Sequence, residues 1–362
     1  MSYNDTLKIP AHYNIYTGVN GRELRIDYSI PQKGTNADTG IFIFVPGFGG
    51  HIDSKIYKKM REHFAEKYNV VTVQCDYFGS RFMQSSDSFR LKNDINIVLN
   101  QLTLEDQLIV KNDTSTFINI ISKYNINLPV HAVIDESIDE FVDMGYMQSI
   151  DVITAIEAIK ILLSENSLEF DEGRILGFGQ SQGAYILLLA NRLVPHLFSQ
   201  IIDNAAWVEP QYLYNNRSLI NSVGNAIITF EFEYLAKRVV NNKKSLSLHN
   251  IYNGFENGSF IYSCLGVTDV LVDVQDKERA IGHIKNLEFE VIDNKDVDGT
   301  IFKSTNHGLD ADFINLIDYA LAKKTFHRNT NMKQFKYIVN ISKTKLSVDY
   351  SNGLPIFQFV NS

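Results

Sequence analysis

The sequence predicts an α/β protein with a mostly parallel central sheet and helices on both faces of that sheet. Short apolar runs rich in β-branched residues recur along the chain, and segments with helical periodicity separate them. One of these runs, residues 41–45, is apolar throughout, which is typical of a central strand covered on both sides. Glycine-rich turns follow two of the runs, at residues 46–50 and 179–183.

Each expected element has its own signal. Residues 24–30 alternate between apolar and polar side chains, which predicts an early antiparallel strand. Further runs rich in apolar residues predict strands at residues 41–45, 70–75, 174–178, 201–206, 260–265 and 287–292. Apolar side chains at three- and four-residue spacing predict helices at residues 54–68, 147–164, 184–193 and 311–322.

Two long segments interrupt this alternation. Residues 81–146 and 209–255 are too long for plain crossover connections, and we interpret them as cap-like insertions. Residues 336–360 alternate like strands and contain an Asn-Gly pair at 352–353, which predicts a small C-terminal β hairpin. We therefore expect one α/β domain of residues 1–325 that contains both insertions, followed by a β extension of residues 326–362.

The composition is that of an ordinary globular protein and disfavours several partners. The chain has 362 residues, and its 34 Lys and Arg against 42 Asp and Glu give a formal net charge of −8, which disfavours nucleic acid. Two cysteines, Cys75 and Cys264, suit a reducing cytoplasm. No apolar run approaches the roughly 20 residues of a membrane span, and the first residues lack an apolar signal core. We expect a cytoplasmic protein with no membrane partner; its oligomeric state stays open.

The strongest local signal is a G-x-S-x-G element at residues 179–183. It follows an apolar strand and opens an apolar helix, which is the setting of a nucleophile elbow with Ser181 as the nucleophile. Gly179 and Gly183 would be required because the turn leaves no room for larger side chains, and the N-terminus of the helix would favour developing negative charge. The alternative is a tight turn in which the serine is incidental.

A serine nucleophile needs a base, which in chains with this elbow follows the acid near the C-terminus. Of the nine histidines, only His307 and His327 follow the last expected strand. His307 lies in a loop, Asn306-His307-Gly308, just before the final helix, whereas His327 lies beyond that helix in a polar linker. We therefore favour His307 as the base, the alternative being an ordinary surface histidine.

The acid should follow the strand before the last one. Asp269 lies a few residues past the strand at 260–265, where its carboxylate could orient the imidazole and stabilise the imidazolium. Asp273 is a second candidate and Asp203 a more distant one, and an exposed loop aspartate is the alternative to all three.

A tetrahedral oxyanion requires two backbone N–H donors. One would be the amide of Gln182, which follows the nucleophile, and the other the amide of Phe48 in the loop after the first parallel strand. Gly47 and Gly49 would allow the Phe48 backbone to turn inward. The loop lacks the spacing and the lysine of phosphate-binding motifs, which disfavours nucleotide binding.

Neither a metal nor a cofactor is expected. The sequence has no H-E-x-x-H element and no paired Cys/His spacing, and the acidic run at 135–143 is explained by a solvated helical face. The single tryptophan, Trp207, could line an acyl or sugar pocket or simply belong to the core.

These features together resemble the α/β-hydrolase superfamily, particularly its esterase and prolyl-oligopeptidase-like branches. The resemblance rests on the loop at 46–50, the turn at 179–183, the segment 266–269 and the loop at 306–308. It implies an α/β-hydrolase fold with a serine nucleophile.

Three stretches are more narrowly similar to a bacterial family of unknown function, domain of unknown function 2920. They are residues 68–77 (YNVVTVQCDY), 201–205 (IIDNA) and 297–308 (VDGTIFKSTNHG), and the similarity covers most of residues 20–325. The resemblance implies the same nucleophile, acid and base. It also implies an association with surface-carbohydrate or flagellar-modification loci, and it brings no established substrate.

The leading hypothesis is a serine hydrolase that cleaves an ester through an acyl-enzyme on Ser181. A small ester or an O-acylated carbohydrate is the expected substrate, on the family association alone. Two alternatives stay open. An O-acyltransferase would use the same three residues in surface-glycan modification, and a catalytically inactive scaffold would bind a partner or a glycan.

Overall fold

The computed structural model describes residues 2–84, 86, 88–324 and 327–360. Its strands are β1 (Tyr3–Pro10), β2 (Glu23–Ile30), β3 (Gly40–Val45), β4 (Val70–Cys75), β5 (Ser88–Leu91), β6 (Asn127–Val133), β7 (Ile175–Gln180), β8 (Gln200–Asn204), β9 (Arg217–Val223), β10 (Ala226–Phe232), β11 (Phe260–Gly266), β12 (Leu287–Ile292), β13 (Lys336–Ile341), β14 (Thr344–Asp349) and β15 (Ile356–Phe359). Its α-helices are α1 (Lys55–Tyr68), α2 (Ile95–Leu99), α3 (Leu104–Asn112), α4 (Phe117–Ile121), α5 (Tyr146–Glu165), α6 (Gln182–Leu193), α7 (Ala236–Val239), α8 (Leu248–Ile251), α9 (Val274–Ile281) and α10 (Phe313–Lys323). The expected boundary between residues 325 and 326 lies outside the described residues, as do residues 85 and 87 of the first expected insertion.

The largest sheet in the described part of the chain has eight strands in the order β1-β2-β4-β3-β7-β8-β11-β12. Strand β2 runs antiparallel to both of its neighbours, and every other pair from β4 to β12 is parallel. The predicted mostly parallel sheet, with an early antiparallel strand at residues 24–30, is confirmed. Its parallel strands all end at one edge, and the loops that follow β3, β7, β8, β11 and β12 therefore meet there.

Side chains of the central strands alternate between two helical layers. Phe42 and Phe178 belong to one buried cluster with residues of α1 and α10, and the rings of Phe42 and Phe64 lie 5.9 Å apart. Gly177 faces the opposite side, where a β-carbon would lie 3.1 Å from Leu187 of α6. Because successive side chains of a strand point to opposite faces, helices cover both faces of the sheet, as predicted.

A smaller compact unit comprises residues 81–142 and 211–239. It contains a sheet in the order β5-β6-β10-β9, in which β6 and β10 are parallel and the other pairs are antiparallel. Its own buried apolar cluster includes Val98, Val110 and Ile228. The larger unit takes the rest of the chain, including residues 240–255.

The C-terminal tail forms a three-stranded antiparallel sheet, one strand more than the expected hairpin. The tight turn joins β13 to β14 at residues 342–343, and Ser342 has a φ of 54° there. The Asn-Gly pair at 352–353 instead lies in the longer connection between β14 and β15. None of the described helices has the length and apolarity that crossing a bilayer demands.

Candidate active site

The turn between β7 and α6 holds Ser181 in a strained backbone conformation, with φ 53° and ψ −118°. The surrounding packing requires both flanking glycines. A β-carbon on Gly179 would lie 2.3 Å from the Ala184 nitrogen, and one on Gly183 would lie 2.1 Å from the Val45 carbonyl oxygen. The turn therefore presents the serine at the end of a central strand, directly before a 12-residue helix.

Ser181, His307 and Asp269 form one chain of hydrogen bonds. The Oγ of Ser181 lies 2.7 Å from Nε2 of His307, and Nδ1 of the same ring lies 2.7 Å from Oδ2 of Asp269. Because a carboxylate can only accept, Nδ1 carries the proton and Nε2 accepts from the serine hydroxyl. The Asp269 side chain has no exposed surface and that of His307 is 18% exposed. This is the arrangement in which a hydroxyl can pass its proton to an imidazole.

The loop after β11 fixes the orientation of Asp269. Its second carboxylate oxygen, Oδ1, accepts hydrogen bonds from the backbone N–H groups of Leu271 at 2.8 Å and Val272 at 2.9 Å. With Oδ1 engaged by its own loop, Oδ2 is the oxygen that faces His307.

The other candidate residues lie elsewhere in hydrogen-bond networks of their own. Asp273 caps α9 by accepting from the Asp276 N–H at 2.8 Å. Asp203 is paired with the ammonium of Lys277 at 2.8 Å, and neither side chain is exposed. His327 lies 2.8 Å, through Nε2, from the Gly258 carbonyl oxygen. Of the candidates for nucleophile, base and acid, the structure brings together only Ser181, His307 and Asp269, whose catalytic roles stay predictions.

The histidine loop is tied directly to the acid loop. The hydroxyls of Thr268 and Thr305 lie 2.7 Å apart, and the Thr268 N–H donates to the Thr305 carbonyl oxygen at 3.1 Å. A β-carbon on Gly266 would lie 2.0 Å from that same carbonyl, so glycine is required for this close approach. The two loops are held together by contacts that do not involve the imidazole.

The loop at residues 46–50 packs against the elbow from the other side. Gly49 has a φ of 88°, and a β-carbon on Gly47 would lie 3.5 Å from the Ser181 β-carbon. Phe48 is the next residue after Gly47 in this loop. Gln182 is the first residue of α6, where backbone N–H groups have no partner inside the helix. The two amides predicted as oxyanion donors thus lie on segments that adjoin Ser181.

Aromatic and polar side chains support these two segments. The rings of Phe48 and Trp207 pack 5.6 Å apart, and Trp207 is buried. The Gln182 side chain donates to Gln148 of α5 at 2.8 Å. Burial raises the pKa of the Tyr57 hydroxyl, and a hydrogen bond to the Gly47 backbone opposes the rise.

A buried carboxylate accepts hydrogen bonds from the first turn of the helix that supplies Gln148. Asp143 accepts hydrogen bonds from the Met147 N–H at 2.7 Å and from the Tyr16 hydroxyl at 2.9 Å. Burial raises the pKa of Asp143 and those two hydrogen bonds lower it, so that the pKa is about 6. Asp143 therefore holds the start of α5, the helix whose Gln148 accepts from the Gln182 side chain.

Sequence reasoning missed several residues around the site, among them Lys277 and Asn204. Lys277, Ala280 and Ile281 are the buried residues of α9, and their three- and four-residue spacing is a signal that Lys277 points inward. Asn204 is the last residue of a buried strand but has no distinguishing pattern of its own. Gln148 sits in a helix that is buried almost all round, so periodicity could not single it out.

Metal-binding geometry is absent from the part of the chain described by the structure. No three His, Cys, Asp or Glu side chains there lie close enough together to hold an ion. Cys75 and Cys264 are both buried and unpaired with each other, and burial raises the pKa of each thiol.

Comparisons with known structures found low similarity. Est1E from Butyrivibrio proteoclasticus, solved with ferulic acid, is 13% identical with a TM-score of 0.45, over 87% of this chain and 97% of that one. Thermogutta terrifontis esterase 2, phosphonylated by sarin, is 14% identical with a TM-score of 0.46, over 88% and 96%. Pyrococcus horikoshii acylaminoacyl peptidase is 11% identical with a TM-score of 0.47, over 91% of this chain and 43% of that one.

Comparison with curated protein sequences found no match. A family model does match, over residues 6–215, and this span is more than half of the chain. The fold is α/β-hydrolase-like, with an eight-stranded, mostly parallel sheet and two small additional sheets. The chain belongs to the family described as protein of unknown function, DUF2920.

Proposed function

We propose that the protein is a serine hydrolase that cleaves an ester through a covalent acyl-enzyme on Ser181. The observation that carries the proposal is the unbroken chain of hydrogen bonds from Ser181 through His307 to the buried Asp269, with both distances at 2.7 Å. Serine alone is a weak nucleophile, and this chain supplies the base and the group that orients it.

In the first half of the reaction, Nε2 of His307 takes the Ser181 proton as Oγ attacks the ester carbonyl. Asp269 stabilises the imidazolium that forms, and the imidazolium then gives its proton to the departing alcohol. In the second half, His307 takes a proton from water, and the resulting hydroxide attacks the acyl carbon. Collapse of that intermediate releases the carboxylic acid and returns the proton to Ser181.

The negative charge of each tetrahedral intermediate requires donors that are already in place. We assign this role to the backbone N–H groups of Gln182 and Phe48, with Gly47 and Gly49 shaping the second segment. The N-terminus of α6 adds a favourable electrostatic potential at the same point. Removal of one such donor typically lowers kcat by about 10²–10³-fold.

For the substrate we propose a small O-acyl ester, with an O-acylated carbohydrate as the class to test first. The carbohydrate part follows from the family resemblance. The packed rings of Phe48 and Trp207 beside the elbow are consistent with an apolar or planar group on one side of the scissile bond.

The experiment is turnover of p-nitrophenyl acetate and butyrate, and acetate release from an O-acetylated sugar, by the wild-type protein and by Ser181→Ala. Activity in the wild type, with a loss of at least about 10³-fold in the variant, would support the hydrolase. Wild-type acyl transfer to an added sugar in preference to water would instead identify an acyltransferase. A wild-type rate no higher than that of Ser181→Ala would contradict the proposal and leave a binding role.

A further inference from the structure

Asn204 is the last residue of β8 and contacts both the nucleophile turn and the histidine loop. Its carbonyl oxygen accepts the Ser181 N–H at 2.8 Å. Its side-chain Nδ2 donates to the carbonyl oxygen of Gly308 at 3.2 Å, one residue beyond His307. The residue has no exposed surface. One buried side chain thus connects the two segments that carry the proposed nucleophile and base.

The histidine loop needs such an anchor because its backbone is unusual after His307. Gly308 has φ 76°, Leu309 has φ 64° and Asp310 has φ 44°, so three consecutive residues have a positive φ. This conformation is costly for the two that carry side chains. Gly308 and Leu309 are buried. The Gly308 carbonyl oxygen accepts the Ala311 N–H at 3.2 Å within the loop, and Asn204 supplies a second donor to this buried carbonyl from outside the loop.

Asn204 is itself held on both sides. Its Oδ1 accepts a weak hydrogen bond from the Cys264 thiol at 3.8 Å, which leaves Nδ2 for Gly308. Its neighbour Asp203 accepts from Lys277 at 2.8 Å and from the Ala206 N–H at 2.7 Å. These contacts hold the end of β8 through partners that lie outside the histidine loop.

We propose that Asn204 is a positioning residue for the proposed reaction, one that holds the loop of His307 at the distance from Ser181 needed for proton transfer. The inference rests on the proposed function. Asn204 does not touch the substrate or the proton; it acts through the Gly308 carbonyl and the Ser181 amide. A misplacement of about 1 Å in a catalytic group can cost about 10²-fold in rate.

The test compares Asn204→Ala and Asn204→Asp with a matched control, Asn191→Ala. Asn191 is also fully buried and lies near the C-terminal end of α6, away from the nucleophile turn at the start of that helix. Its side-chain amide donates to Asn257 at 2.9 Å. We expect both Asn204 variants to lower kcat for p-nitrophenyl acetate by about 10–100-fold with KM changed less than threefold. The control should keep kcat within about twofold even if its melting temperature falls equally.

A second measurement does not depend on activity. Hydrogen exchange of the peptide spanning residues 303–310 should accelerate at least tenfold in the Asn204 variants and not in Asn191→Ala. Unchanged kcat together with unchanged exchange would overturn the inference, as would an equal loss of kcat in the control. If the wild type is inactive, the proposed function fails, and faster exchange in the Asn204 variants would still establish the anchor.

Discussion

The Nδ1 atom of His307 lies 2.7 Å from Oδ2 of Asp269, a carboxylate with no exposed surface. The contact fixes which nitrogen of the ring carries the proton, and it leaves the other nitrogen as the acceptor for the Ser181 hydroxyl. The same contact would stabilise an imidazolium after proton transfer. Each consequence can be tested separately.

Asp269→Asn should lower kcat for p-nitrophenyl acetate by about 10³–10⁴-fold. The amide has nearly the shape of the carboxylate, but it favours the wrong tautomer of His307 and offers no charge to an imidazolium. Asp273→Asn is the matched control because Asp273 caps α9 and does not contact the imidazole. A control as inactive as Asp269→Asn, or an active Asp269→Asn, would show that the acid is misassigned.

His307→Ala should lower kcat by about 10⁴-fold or more, because the serine would lose its base. His327→Ala removes a histidine whose ring contacts the Gly258 carbonyl oxygen at 2.8 Å, far along the chain from the elbow. That variant should keep kcat within about threefold. Steady-state kinetics on the two proteins decides between them, and the opposite ranking would assign the base to His327.

The elements around the site could be predicted because their signals are local. The strands β7 and β11 are largely apolar runs, and β12 is rich in apolar residues. In a parallel sheet the loops that follow them meet at one edge. Ser181, Asp269 and His307 each follow one of these strands, so topology alone predicts that they are close. The glycines at 179 and 183 could be predicted from the G-x-S-x-G pattern, and the structure gives their reason, since nothing larger fits there.

Other features could not be predicted because their cause is tertiary. Strand β1 is mostly exposed, so it lacks the buried alternating face that reveals a strand, and its pairing with β2 defines it. A hairpin was expected at Asn352-Gly353, and the third strand was not. The tight turn of the tail instead contains Ser342, which has a positive φ. The Asn204 contacts depend on loops far away in sequence, and no spacing rule reports them.

Lys277→Met should destabilise the protein by about 3–5 kcal/mol, because Asp203 would be left as an unpaired buried carboxylate. The double variant Asp203→Asn/Lys277→Met should be more stable than Lys277→Met alone, since no uncompensated charge remains. Urea denaturation measures both. Lys295→Met is the control: its pair with Asp293 is largely exposed, so this substitution should change the stability far less than Lys277→Met does. Equal effects of Lys277→Met and Lys295→Met would contradict the prediction.

His12 should make the folded state sensitive to acid. Its Nε2 accepts the Phe357 N–H at 2.8 Å, and its other ring nitrogen lies 2.7 Å from the Tyr13 carbonyl oxygen, so the neutral ring is required. Burial, together with the charge of Arg22, lowers the pKa of His12 to about 4. The unfolded chain binds this proton near its ordinary pKa of about 6.5, so stability is complete above that value and falls as the pH drops toward 4.

The variant His12→Gln keeps an acceptor in that region and does not titrate. Urea denaturation at pH 7, 5.5 and 4 should show the wild type losing up to about 3 kcal/mol relative to the variant across this range. Other titrating groups are common to both proteins and cancel in the difference. Parallel stability curves for the two proteins would show that His12 is not responsible for any acid sensitivity.

Covalent labelling with a fluorophosphonate, followed by mass spectrometry of the digested protein, tests whether Ser181 is the nucleophile. We expect one phosphonyl adduct, on the peptide that contains Ser181, formed at least about 100-fold more slowly in His307→Ala and not at all in Ser181→Ala. Equal labelling of the wild type and Ser181→Ala, an adduct on another residue, or no reaction of the wild type would contradict this expectation.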